Sequence, residues 1–147
     1  MVTPLSSTAL SLLRYRSAMS QYGFTVEVPE GYDEAVLRTR VALRSAGFSI
    51  ITEAHVGGML GPEAGDDRQY LIMGAYNART THREIDSNIE AAVHIPCNIV
   101  VQEKDDAAIV AALDPQDDAD PTSPEQLETA EGARAALQGV LERVASP

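Results

Sequence analysis

Six residues carry most of what this chain could do chemically: Tyr70, Tyr76, Asn77, His94, Cys97 and Asn98. Cys97 is the sole cysteine, and it stands in the run HIPCNIVVQE, where an apolar strand begins. A thiol acts as a nucleophile in its thiolate form, which needs a base or a positive field beside it. His94, three residues upstream, is the nearest base along the chain. Pro96 lies between them, so the two side chains need not face each other. His55, His82, His94 and Cys97 are also the soft metal ligands, and they are scattered, with no CxxC, HxH or HxxxH spacing. His94 and Cys97 together would supply two ligands, short of the three or four that a zinc ion takes from protein. No metal and no cofactor are expected. A free cysteine is among the most buried residue types. Cys97 is therefore expected to be a mostly buried structural residue, with Pro96 fixing the chain's approach and Asn98 satisfying backbone groups nearby.

Asn77 and Asn98 both flank chain reversals, where an Asn side chain commonly bonds its own backbone. If they converge with Tyr70, Tyr76, His94 and Cys97, the group forms a small polar pocket able to hold a ligand. The acidic pairs Asp66-Asp67, Asp105-Asp106 and Asp117-Asp118 fall in turns and linkers, where carboxylates stay solvated and nothing raises one of them for acid-base work. The DPQDDADPTSPE stretch has acids but three prolines and no glycine, which argues against a calcium loop. Gly57, Gly58 and Gly61 match no phosphate-binding fingerprint. Arg38, Arg40 and Arg44 read as a solvated helix face rather than an anion grip.

The elements that must position these residues follow from periodicity. GFTVEV alternates Phe24, Val26 and Val28 against Thr25 and Glu27, which is a half-buried strand. PEGYDEAVLRTRVALRSAG reads as a helix over 31–46, with Val36, Thr39, Leu43 and Ala46 on one face and Gly47 after it. FSIITEAHV and YLIMGAYN are strands, with a Gly- and Pro-containing loop between them. ARTTHREIDSNIEAAV reads as a short or broken helix, and Ser6 to Gln21 as helical or loosely ordered. NIVVQE and AAIVAALDP form a hairpin turning at Lys104-Asp105-Asp106, and the apolar IVV and LIM runs place their strands at the centre of a sheet. Ser123, Pro124 and Gln126 make a capping box for a last helix with an apolar stripe at Leu127, Ala130, Ala133, Leu137, Leu141 and Val144. That stripe covers the sheet or a second subunit. The expected fold is α+β: two layers, a mostly antiparallel curved sheet of about five strands, with helices packed on one face.

The chain has 147 residues, 44% of them apolar, which suits one core. Three regions are expected: an N-terminal helical appendage at 1–22, a core at 23–115, and an acidic linker with a C-terminal helix at 116–147. Met19 offers an alternative start. The formal net charge of −11 repels phosphate backbones, so no nucleic-acid partner is expected. No apolar run approaches the length of a membrane span, and the N-terminal segment lacks the basic n-region of a signal peptide. One cysteine fits a reducing compartment, and the expected location is cytoplasmic.

QYLIMGAYN, followed by HIPCNIVVQE and VAALDP, resembles the DUF302 family, small bacterial and archaeal domains of unknown function. The likeness runs from about Gly23 to Pro115 and includes the helix ending in Ala46 to Phe48, the Pro96-Cys97-Asn98 triplet and Asp114-Pro115. The resemblance implies a compact two-layer α+β domain with a curved antiparallel sheet, often a homodimer, and no established activity. Relatives commonly carry a Cys before the Asn that here is Asn77 and a Pro after it. Tyr76 and Ala78 stand there instead, so chemistry with two thiols is closed to this chain.

Three functions remain open. One is a non-enzymatic, homodimeric small-ligand-binding or regulatory domain. The second is a thiol- or metal-dependent enzyme using Cys97 with His94. The third is a protein interaction module presenting its C-terminal helix.

Overall fold

The computed structural model describes residues 24–56, 68–77 and 97–146. The helices expected at 6–21 and within 78–93, and the loop at 57–67, lie outside these residues. The described chain runs β1 (Phe24–Val28), α1 (Tyr32–Ser45), β2 (Phe48–His55), β3 (Tyr70–Asn77), β4 (Cys97–Lys104), β5 (Ala107–Ala112), a 3-10 turn (Pro115–Asp118) and α2 (Pro124–Ala145).

The five strands form one sheet in the order β1-β5-β4-β3-β2, with every neighbouring pair antiparallel. The expected hairpin joins β4 and β5, with Lys104 paired to Ala107. Asp105 takes φ 52 in that turn, a left-handed conformation that Asp tolerates better than most residues. Gly31 and Gly47 bracket α1 at φ 109 and φ 89, and a Cβ on Gly31 would stand 3.3 Å from the Asp106 carbonyl.

Strand alternation sends one side of the sheet into the core. Phe24, Val26 and Val28, Ala108 and Val110, Ile99 and Val101, and Leu71 and Met73 are all buried there. Both helices cover this same side. α1 contributes Ala35, Val36, Ala42 and Leu43, and α2 contributes Leu137, Val140, Leu141 and Val144. The fold is the expected α+β one, and the apolar stripe of the last helix joins the core of its own chain from Leu137 to Val144, while Leu127 at its start is left 39% exposed. Arg38 links the helices, donating to the Val144 carbonyl at 3.3 Å.

The opposite side has no helix over it among the described residues. Ile72 and Val100, read from sequence as buried on both faces of central strands, are half-buried here.

The capping box at α2 is half formed. The Gln126 amide donates to Ser123 Oγ at 3.3 Å, as expected. The Gln126 side-chain oxygen instead accepts from the Asp120 amide at 2.9 Å. The Ser123 amide is already bonded to the Asp120 carbonyl at 3.1 Å, so it has no need of the glutamine. No helix among the described residues is long and apolar enough to cross a membrane.

Candidate functional site

Register decides where the candidate residues stand. Ala75 pairs with Cys97, Gly74 with Asn98, and Tyr70 with Gln102. Ala75, Met73, Ile99 and Val101 are buried on the helix-covered side. Cys97 and Asn77, in phase with them, therefore face the helices. Asn98, Tyr76 and Tyr70 are in the other phase and face the open side.

The sheet thus divides the described candidates into two groups. On the helix side, Cys97 and Asn77 are diagonal neighbours across the end of the β3-β4 ladder, where such pairs lie about 7–8 Å apart. On the open side, Tyr76 and Asn98 form the matching diagonal, with Gly74 between them. Tyr70 lies six residues from Tyr76 on the same strand, which at the rise of an extended chain is about 20 Å away. It belongs to the far end of the open face, beside Gln102 and Ile109. His94 lies outside the described residues.

Cys97 packs against the core as a half-buried residue rather than a mostly buried one. It occupies the last rung of the β3-β4 pairing, where cover thins, and its sulfur lies 3.9 Å from the Leu113 carbonyl. A carbonyl oxygen offers a thiol a weak acceptor and no positive field, so this contact does nothing to favour thiolate. Asn98 is exposed, and its carbonyl accepts from the Leu113 amide at 3.3 Å, which continues the β4-β5 ladder past Ala112.

Among the described residues, no group of three or more His, Cys, Asp or Glu could hold a metal ion. The arginines of α1 do not form the solvated face expected from the sequence: Arg44 is exposed, Arg40 is half-buried, and the Arg38 side chain is only 12% exposed because it reaches back to the last helix. Arg38 binds Glu34 at 3.0 Å and Glu30 at 3.2 Å, and its charged form is favoured by both carboxylates against its desolvation. Arg40 forms a two-bond fork with Glu53.

Sequence reading missed one surface feature, an open groove of about 590 Å³ between α1 and β2. Leu37, Val41, Ile50 and Ile51 line it together with Arg40 and Arg44. The signal was present in the spacing of Leu37 and Val41. The register shift between Ile50 and Thr52, which gives Ile51 its place, had no such signal.

A family model described as "Domain of unknown function DUF302" matches residues 24–144. That span includes α2. The solved structure described as an uncharacterized conserved DUF302 protein from Bacillus stearothermophilus is similar in fold, with a TM-score of 0.70 and 21% sequence identity. The similarity covers 84% of this chain and 98% of that one. No curated protein matches the chain.

Proposed function

The chain belongs to the DUF302 family, and from that premise we propose that it is a non-enzymatic, homodimeric domain of the cytoplasm that binds a small ligand on the open face of its sheet. One observation supports the reading. The side with no helix over it among the described residues carries a half-buried apolar floor, Ile72, Val100, Ile109 and Ala111, with the polar diagonal of Tyr76 and Asn98 at one end. A mostly apolar surface with a few fixed polar groups is the usual composition of a small-molecule site. The ligand that suits it has a flat apolar body and a hydrogen-bonding edge turned toward Asn98. Asn77 and Cys97 stand behind this face and position the strand ends, and His94 completes the candidate set.

The test uses tyrosine fluorescence of the full chain, which contains no tryptophan to mask the signal. The probe is 8-anilinonaphthalene-1-sulfonate, a flat apolar body with one polar edge. Binding at the open face changes the emission of Tyr70 and Tyr76. Asn98→Ala weakens binding roughly fivefold, the loss of about 1 kcal/mol of hydrogen bonding. Equal affinity in Asn98→Ala and Tyr76→Ala would remove the open face as the site. Native mass spectrometry of protein purified without chelators provides the second readout, an unexplained bound mass.

A further inference from the structure

The exposed residues of α1 form a single line. They are Asp33, Leu37, Val41, Arg44 and Ser45. Steps of four, four and three keep the first four on one ridge of a helix. Two of them are large apolar groups left mostly in water, Leu37 at 56% and Val41 at 54% exposure. The ridge therefore reads acid, apolar, apolar, base from its N-terminal to its C-terminal end.

That order is its own complement when reversed. Two copies of the ridge laid antiparallel put Asp33 opposite the partner's Arg44, and Leu37 opposite the partner's Val41. The two-fold axis repeats each contact. This is the condition for an isologous interface, in which residue i meets j and j meets i. The two charges at the ends hold no short bond among the described residues, although the Arg44 charge adds to the lowering of the Glu53 carboxyl. Arg38 and Arg40 are held by Glu30, Glu34 and Glu53 within the chain. Asp33 and Arg44 have no hydrogen-bond or ion-pair partner among the described residues.

The surface beside the ridge extends the patch. Ile51 sits at the register shift of β2, is 53% exposed, and lines the groove with Leu37 and Val41. Side chains from a second ridge have this groove to enter. β2 is an edge strand, and such a shift in an edge disfavours direct strand-to-strand pairing. At this end of the sheet, contact then falls to the helix ridge rather than to the strand edge.

We infer that α1 is the dimer contact: two copies of this chain pack antiparallel through Leu37, Val41 and Ile51, with Asp33 and Arg44 paired across both ends. The inference rests on the homodimer reading above and adds the surface that makes the dimer. A partner of other composition would have to present the same reversed order of charges, which a second copy does automatically.

Sedimentation equilibrium on the full chain, from about 1 to 200 μM, tests it with four variants at exposed positions. Circular dichroism confirms that each variant is folded. Val41→Asp puts two carboxylates into the contact by symmetry and weakens association by at least about a hundredfold. Asp33→Arg or Arg44→Asp alone loses two ion pairs and creates like-charge contacts, weakening association roughly tenfold. The double variant Asp33→Arg/Arg44→Asp restores opposite charges and returns within about threefold of the parent. Single losses with rescue by the double variant establish the interface. A parent dimer that none of the variants disturbs overturns the interface and leaves the homodimer reading standing. A parent chain that stays monomeric at 200 μM overturns both.

Discussion

Arg40 of α1 and Glu53 of β2 meet as a fork, with Nε donating to Oε1 at 2.8 Å and the terminal nitrogen to Oε2 at 2.7 Å. Two parallel bonds fix both planes and join the helix to the edge strand. Arg40 holds the Glu53 carboxyl below its ordinary value of 4.5. A carboxyl lowered in the folded state adds stability that is present above the unfolded value and is lost as pH falls through the folded one. Both side chains are about a third exposed, which screens the pair. Glu53→Gln should therefore cost only about 0.5–1 kcal/mol at pH 7. Urea titrations across pH 2–7 should show a shallower acid slope in the variant than in the parent. Equal slopes would mean that the fork does not persist in solution.

Tyr32 presents the opposite case. Its ring packs against the core, and its hydroxyl oxygen is buried with no hydrogen-bond partner among the described residues. Burial pushes the phenol above its ordinary value of 10.0, with Asp33 adding to the rise and Arg40 opposing it. Stability from this group is fully present below the unfolded value and is lost as pH rises through the folded one. Tyr32→Phe removes a buried donor and leaves the ring. It should be neutral or stabilising by up to about 1 kcal/mol at pH 7, and it should flatten the stability loss above pH 10. Urea unfolding of both proteins at neutral and alkaline pH measures the two effects. A destabilised phenylalanine variant would show that the hydroxyl is satisfied in solution, by an ordered water for instance.

Asp114 and Arg134 tie α2 to the rest of the fold. One Asp114 oxygen accepts from the Gln116 amide at 3.0 Å and caps the 3-10 turn, while the other accepts from Arg134 Nε at 3.1 Å. The Arg134 guanidinium also lies over the Phe24 ring, 5.3 Å from its centre. Asp114→Ala loses the cap and the ion pair together and should cost about 1–2 kcal/mol. Arg134→Lys keeps the charge but not the planar stack on Phe24, and about 0.5–1 kcal/mol should be lost. Thermal unfolding of the two variants separates these terms. An unchanged lysine variant would show that the ring contact carries no weight.

How far the sequence reaches is clearest at β1 and β2. Phe24, Val26 and Val28 alternate with polar neighbours, and the strand is built as its spacing says. FSIITEAH also reads as a strand, but its burial stops after the first residues, although β1 at the other edge of the sheet is buried at every second position. Which edge the helices cover is a non-local property that periodicity does not carry. The same holds on α1, where Leu37 and Val41 repeat as regularly as the core-facing Thr39 and Leu43. The helical period alone does not say which stripe is covered. The candidate pocket shows the limit most directly. Tyr76, Asn77, Cys97 and Asn98 were all legible as strand-end residues. Their division between two faces depends on register, and a slip of one residue would exchange every side chain.

Cys97 bears on the choice between binding domain and thiol enzyme, and its reactivity can be measured directly. The residue stands opposite Ala75, half-buried, with its sulfur near the Leu113 carbonyl. The Leu113 carbonyl supplies no positive field to the sulfur, and its half-burial restricts access for a reagent. Maleimide labelling of native protein at pH 7 should run at least about tenfold slower than labelling of urea-unfolded protein. Cys97→Ala should cost about 1 kcal/mol or less, because a half-buried sulfur leaves only a small gap. The same variant should bind the fluorescent probe as the parent does, since Cys97 lies on the side of the sheet away from Tyr76 and Asn98. Fast labelling of the folded protein, at a rate that rises near pH 6 as an imidazole loses its proton, would reverse the assignment. It would place His94 beside the sulfur as its base.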